Sequence, residues 1–249
     1  MKERELSIII GGGKSGLQLA EQFITNNQDF LLFEMSPFID GKPKRQHQRY
    51  SADERFQTNT IVHGITKDLE LLIEQEETTA TIQASNVYVA TGSYEEPLVF
   101  SGWTLPGIIT SQAANQLFYR DRVPLGKRVV YLSACKVDEK FFVDMIREYI
   151  HIDLLEGYKI SELTCIQSSN ATLTVSYTCN GKRHELKDID LVICQNRRLP
   201  ALELVKMAGA KVEKTTDDMI RPVLNEQGES SIQGLFVVGS AAGRSVANS

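Results

Sequence analysis

Residues 6–34 read LSIIIGGGKSGLQLAEQFITNNQDFLLFE, and this stretch decides the fold. Leu6, Ile8, Ile9 and Ile10 form a short apolar run of the kind that a strand buried on both faces needs. Gly11-Gly12-Gly13-Lys14-Ser15-Gly16 follows and fits G-x-G-x-x-G with Gly11, Gly13 and Gly16. Leu17, Ala20, Phe23 and Ile24 recur at helical spacing, and Asn26-Asn27 breaks the helix. Phe30 to Phe33 reads as a second strand, closed by Glu34, 18 positions after Gly16. The pattern predicts strand, glycine turn, helix, strand and acid, in that order.

Each part has a physical job. Gly11 permits the tight turn, Gly13 lets backbone N–H groups approach a pyrophosphate, and Gly16 lets the helix pack closely on the strand. The helix start at Lys14-Ser15 supplies oriented donors and a partial positive charge. Glu34 is placed to accept hydrogen bonds from an adenosine ribose, and its charge disfavours a 2′-phosphate. Gly13-Lys14-Ser15 also looks like the end of a P-loop, but that motif needs a glycine where Ile8 stands. The Lys14 ammonium is therefore expected on the helix surface.

Composition narrows the class. The chain has 249 residues, 42% of them hydrophobic, enough for one large domain or two small ones. A net charge of −5 argues against a general nucleic-acid binder. No apolar run is long enough to span a bilayer, and the start, Met-Lys-Glu-Arg-Glu, does not read as a signal peptide. Cys135, Cys165, Cys179 and Cys194 include no C-x-x-C, so neither a dithiol centre of that type nor a metal site is expected. They read as reduced, buried thiols of a cytoplasmic protein.

After Glu34 the pattern stops. Pro37 to Gln57 is polar and holds Lys42, Lys44, Arg45, His47 and Arg49, either a solvated loop or an arm contacting an anion or partner. Phe56 to Thr66 reads as a strand, Leu69–Glu74 with Thr79–Gln83 as a hairpin, and Asn86–Ala90 as a buried strand ending in Thr91-Gly92-Ser93. Val129–Leu132, Lys140–Tyr149 and Ile152–Leu155 read as a second strand–helix–strand unit. Its turn, Ser133-Ala134-Cys135-Lys136-Val137-Asp138, holds no glycine, so side chains fill the space a pyrophosphate would need. Cys135 is then either a thiol activated near a helix N-terminus or a filler of that space. Ile160–Gln167 and Thr172–Cys179 alternate like antiparallel strands around Ser168-Ser169-Asn170. Asn180-Gly181 has type I′ turn chemistry, and Ile189–Cys194 is a buried strand.

Val89-Ala90-Thr91-Gly92 resembles the A-T-G signature of the two-dinucleotide-binding-domain flavoproteins, the group of glutathione and thioredoxin reductases. Tyr94-Glu95-Glu96-Pro97 and Gly102-Trp103-Thr104-Leu105-Pro106-Gly107 are similar to one branch of that group. It contains the alpha subunits of heteromeric sarcosine oxidase, hydrogen cyanide synthase, opine oxidase and dye-linked proline or hydroxyproline dehydrogenase. A helix start over Thr110–Leu117, then Asn196-Arg197-Arg198-Leu199-Pro200 and Gly234–Gly243, continue the resemblance in order.

The resemblance implies an α/β protein of two Rossmann-like, glutathione reductase-like domains, the second inserted in the first. The FAD-binding domain would take residues 1–105 and 218–249, and a nicotinamide-type domain residues 106–217. It adds Val62, Thr91, Gly92, Gly239 and Ser240 to the cofactor-binding set of Gly11, Gly13, Lys14, Ser15, Gly16 and Glu34. The sequence departs from the family at the glycine-free turn, at Ser240 where the family places aspartate, in a short 35–57 segment, and in ending at Ser249 where a further helix begins. FAD is the expected cofactor, its ADP half most completely provided for, and NAD(P) is not expected. The implied role is an FAD-dependent oxidoreductase subunit that relays electrons or assists assembly. Its partner would be a second flavoprotein subunit or a second copy of itself. A nucleotide-binding scaffold without redox chemistry is the alternative, and a stand-alone NAD(P)H-dependent reductase a third reading that the glycine-free turn opposes. No general acid or base stands out, because His47, His63, His151 and His184 are scattered.

Overall fold

A computed structural model describes residues 6–39, 50, 53–135, 144, 151–168, 171–216 and 218–243. The chain divides into two compact units, residues 1–94 with 199–249, and residues 95–198.

The first unit begins with β1 (Ser7–Ile10), α1 (Lys14–Thr25) and β2 (Phe30–Phe33). All four residues of β1 are buried, because β2 and β7 (Asn86–Val89) pair with it on either side, both parallel. Alternation along β1 then sorts the core. Ile9 faces Leu17, Ala20 and Phe23 of α1 with Phe30 and Leu32. Ile8 and Ile10 face the opposite side with Val87, Val89, Leu71 and Ile73. That opposite side is covered by an antiparallel meander, β4 (Thr60–Ile65), β5 (Glu70–Gln75) and β6 (Thr78–Gln83). The expected single strand over Phe56–Thr66 is two. β3 (Phe56–Gln57) joins the parallel sheet, β4 joins the meander, and Asn59 between them takes φ +53. An asparagine tolerates that left-handed corner better than most residues.

Short strand β8 (Ser93–Glu95) lies at the first crossing between units. The second unit carries a parallel sheet in the order β11 (His151–Glu156), β10 (Arg128–Ser133), β15 (Leu191–Gln195), β9 (Ile108–Thr110). A second antiparallel meander, β12 (Ile160–Gln167), β13 (Leu173–Cys179) and β14 (Lys182–Ile189), packs Leu173 and Val175 against Val130 and Leu132. The other face of β10 packs Val129 and Tyr131 against Ala114 of α2 (Ser111–Asn115) and Phe118 of a following π-turn, Gln116–Asp121. Asn180 (φ +51) and Gly181 (φ +73) make the expected I′ turn. The arm residues Lys42, Lys44, Arg45, His47 and Arg49, the turn residues Lys136 to Asp138, nearly all of the helix expected over 140–149 and Ser169-Asn170 lie outside the described residues.

The chain crosses back at β16 (Arg198–Pro200), then forms α3 (Glu203–Met207), β17 (Val212–Lys214), β18 (Ile220–Pro222) and β19 (Leu235–Val237). β19 completes the first parallel sheet, β19-β7-β1-β2-β3. The compact units divide at 94/95 and 198/199, before the expected boundaries at 105/106 and 217/218. The reason is burial. Leu98, Phe100 and Leu105 pack in the core of the second unit, and Leu202, Leu204, Val205, Ala208 and Ala210 in that of the first. Among the described residues no helix is long and apolar enough to cross a membrane.

Candidate functional site

The site is built at the C-terminal edge of the first parallel sheet. Gly11 leaves β1 at φ +108, and a Cβ there would lie 2.5 Å from the Ala90 carbonyl oxygen. Gly16, one turn into α1, is held so close that a Cβ would lie 1.9 Å from the Gly11 carbonyl oxygen. Gly13 differs from both. It is the residue preceding α1, at φ −79, and its Cβ position opens into empty space. Only Gly13 is therefore free for outside reasons, and that bare backbone is what a close-approaching phosphate requires. The first turn of α1 holds no acid, so its positive end is not neutralised there. Lys14 is exposed, as expected of a surface ammonium.

Glu34 lies where β2 ends. Its Oε2 accepts the Gly12 N–H at 2.7 Å and its Oε1 accepts the Ser36 N–H at 2.8 Å. Its backbone is fixed as well. The Glu34 N–H donates to the Gln57 carbonyl, and the Thr60 N–H donates to the Glu34 carbonyl. The carboxylate thus braces the glycine turn and still has lone pairs for a ribose. Gly12, the unspecified position of the motif, is crowded too, its Cβ position 3.1 Å from Glu34 Cβ and 3.0 Å from Ile39 Cδ1. The sequence motif does not mark that position.

Two distant segments converge on the same turn. Gly239 (φ +67) sits against the start of α1, where a Cβ would lie 2.2 Å from Ser15 Oγ. Ser240, next in the short 3-10 turn Gly239–Ala242, stands beside Gly92 (φ +80), its Oγ 3.7 Å from the Gly92 Cβ position. Gly92 and Thr91 are anchored on Ala201. The Ala201 N–H donates to the Gly92 carbonyl at 3.1 Å, and Thr91 Oγ1 donates to the Ala201 carbonyl at 3.1 Å. Ser93 Oγ is buried with no hydrogen-bond partner among the described residues. A buried hydroxyl in that state is costly unless a ligand or water completes it, and sequence reading did not single Ser93 out. Val62 stands apart. It pairs with Ile73 in the meander and packs on the core with Leu71 and Ile65 rather than on the glycine turn.

The second unit has a related strand edge with a different turn. The Gly11 N–H donates to the Phe33 carbonyl of β2, whereas the Ala134 N–H donates to the Gln195 carbonyl of β15. A glycine is present, but on the facing strand end. Gly157 has its Cβ position 3.2 Å from Ala134 Cα and from the Ser133 carbonyl oxygen. Ser133 Oγ donates to the Cys135 carbonyl at 2.6 Å, tightening the turn further. Burial pushes the Cys135 thiol up, outweighing its hydrogen bonds to Ser133 and Gln195, which accords with a filler and not an activated thiolate. Burial pushes Cys165 up to about 11 and Cys194 up to about 12. All four cysteines are free, but Cys135 and Cys179 are half-buried where burial was expected.

No protein-family model matches the sequence, and no curated protein matches it. Solved structures do match. L-proline dehydrogenase from P. horikoshii superposes with a TM-score of 0.76 at 20% identity, over 97% of this chain and 52% of that one. A NAD-dependent persulfide reductase from A. fulgidus gives 0.68 at 13% identity, over 95% and 52%. Bacillithiol disulfide reductase from Staphylococcus aureus gives 0.61 at 18% identity, over 95% and 90%. The chain spans about half the length of the first two. It has the mixed α/β fold with parallel, Rossmann-type sheets of these oxidoreductases.

Proposed function

We propose that the first unit binds FAD and that the chain is the FAD-dependent subunit of an oxidoreductase. One observation carries the reading. Gly13 is bare for no internal steric reason, while Gly92, Gly239 and Ser240 are brought to the turn it opens. The residues fit the group. Gly11, Gly13, Ser15 and Gly16 would hold the pyrophosphate, Glu34 the ribose, and Thr91, Gly92, Gly239 and Ser240 the chain leading to the flavin. When bound, FAD supplies the redox chemistry, and the protein supplies binding, orientation and tuning. Ser240 offers a neutral hydroxyl, a weaker partner than a carboxylate. The second unit would take no NAD(P), because Ser133 to Asp138 holds no glycine and Ala134 is packed against Gly157. Reducing equivalents would then come from a second flavoprotein subunit, with this chain in relay or assembly. The fold shared with a proline dehydrogenase supports an amine or amino acid as the ultimate donor.

The glycine-free second turn and Ser240 also favour the alternative of a nucleotide-binding scaffold without redox chemistry. A visible absorption spectrum, with identification of what heat releases, separates the two. Stoichiometric FAD supports the subunit reading. Protein that stays colourless after incubation with FAD and releases ADP, ATP or NAD leaves only the scaffold.

A further inference from the structure

We infer that β6 is a self-association edge, through which two copies of this chain join their meanders into one six-stranded antiparallel sheet. β6 reads Thr78-Thr79-Ala80-Thr81-Ile82-Gln83, with Ile82 half-buried and the other five exposed. It pairs with β5 on one side and, among the described residues, is the last strand on the other. It carries no charge, no proline and no bulge, which is the form of edge that recruits another strand.

Four other edges, those of β14, β12, β4 and β19, are blunted, and the edge strands β9 and β3 are only three and two residues long. β14 carries Lys182, Arg183, His184, Glu185, Lys187 and Asp188. β12 is broken by a bulge between Ser161 and Thr164, and its Cys165 N–H is taken by the Ser101 carbonyl. β4 is bulged between Val62 and Gly64, with Met207 of α3 set against Gly64. β19 is bounded by the Val237 N–H bond to the Gly228 carbonyl. A neutral edge pairs without burying charge only against another neutral edge, and this chain offers one in its own copy.

The hydrogen-bond phase fixes the register. The Ala84 N–H donates inward to the Leu69 carbonyl. By alternation Ala80 and Ile82 also bond inward, and Thr79, Thr81 and Gln83 present their N–H and C=O groups outward. A two-fold axis perpendicular to the sheet keeps each side chain on its own face. The register that uses all three outward residues therefore centres on Thr81. It sets Thr81 against Thr81, Thr79 against Gln83 and Ala80 against Ile82 of the second copy, with about six new backbone hydrogen bonds. Glu76 and Glu77 fall beyond the last pair and do not face each other. The contact uses the same β6 edge of each copy, so it is isologous and closes at the dimer.

Sedimentation of the full chain across the micromolar range tests this. Wild type is expected to move reversibly from one chain mass to two. Thr81→Lys and Thr81→Glu, at an exposed position, should each weaken association at least about tenfold by placing like charges on the axis. An equimolar mixture of the two should restore a dimer, which a merely destabilised fold would not. Amide exchange at Thr79, Thr81 and Gln83 should slow with concentration. A wild type that stays monomeric throughout, or a dimer indifferent to both substitutions, overturns the inference.

Discussion

At the scale of single residues, the glycines of one motif have different reasons. Gly11 and Gly16 are required by the fold, since a Cβ at either strikes backbone. Gly13 is required by nothing inside the protein. Gly11→Ala and Gly16→Ala should therefore destabilise the chain by at least about 2 kcal/mol. Gly13→Ala should leave stability within about 0.5 kcal/mol and weaken FAD at least about tenfold, or roughly 1.4 kcal/mol. Thermal melting and flavin titration of the three variants check both halves. Loss of stability in Gly13→Ala would mean that its openness serves folding. The steric demands at Gly11 and Gly16 and the place of Glu34 at the end of β2 were legible because they are local, set by a turn and by spacing along one strand–helix–strand unit. Gly12, Ser93 and Gly157 were not, because what crowds or strands them comes from Ile39 and Glu34, from burial, and from the end of another strand.

At the scale of elements, the two meander hairpins use the same turn with different residues. Asn180-Gly181 suits left-handed backbone, whereas Glu76 (φ +50) and Glu77 (φ +64) form the β5–β6 turn against their preference. Glu77→Gly should raise stability by about 0.5–1 kcal/mol, read as a shift of the denaturation midpoint in a monomeric Thr81→Lys background. No change would mean that Glu77 makes compensating contacts in the turn. The hairpin read from Leu69–Glu74 and Thr79–Gln83 placed β6 as a strand. Neither its place at the sheet edge nor the split of Phe56–Thr66 between two sheets follows from its own residues. Edge position depends on how many partners a strand finds, and those partners are distant in sequence.

At the scale of the whole molecule, one unit keeps a glycine turn and the other has a turn without glycine after β10. NADH and NADPH are expected to leave the absorption of an FAD-loaded chain unchanged under anaerobic conditions. Bleaching of the flavin within seconds of adding either would show that the Ala134 turn opens to admit a dinucleotide.

The sequence by itself determined that residues 7–33 form a parallel strand–helix–strand unit, that its turn carries Gly11, Gly13 and Gly16, and that the turn after β10 carries no glycine. These are decided by backbone freedom and by hydrophobic alternation, both properties of neighbouring residues. The tertiary structure alone decided that Gly239 rests on Ser15 and Ser240 beside Gly92, across more than half the chain. It alone decided that Gly157 accommodates Ala134 and that the units divide at 94/95 and 198/199. Those outcomes depend on which apolar surfaces bury one another. That burial is a long-range competition among all the elements, and no single stretch of residues encodes it.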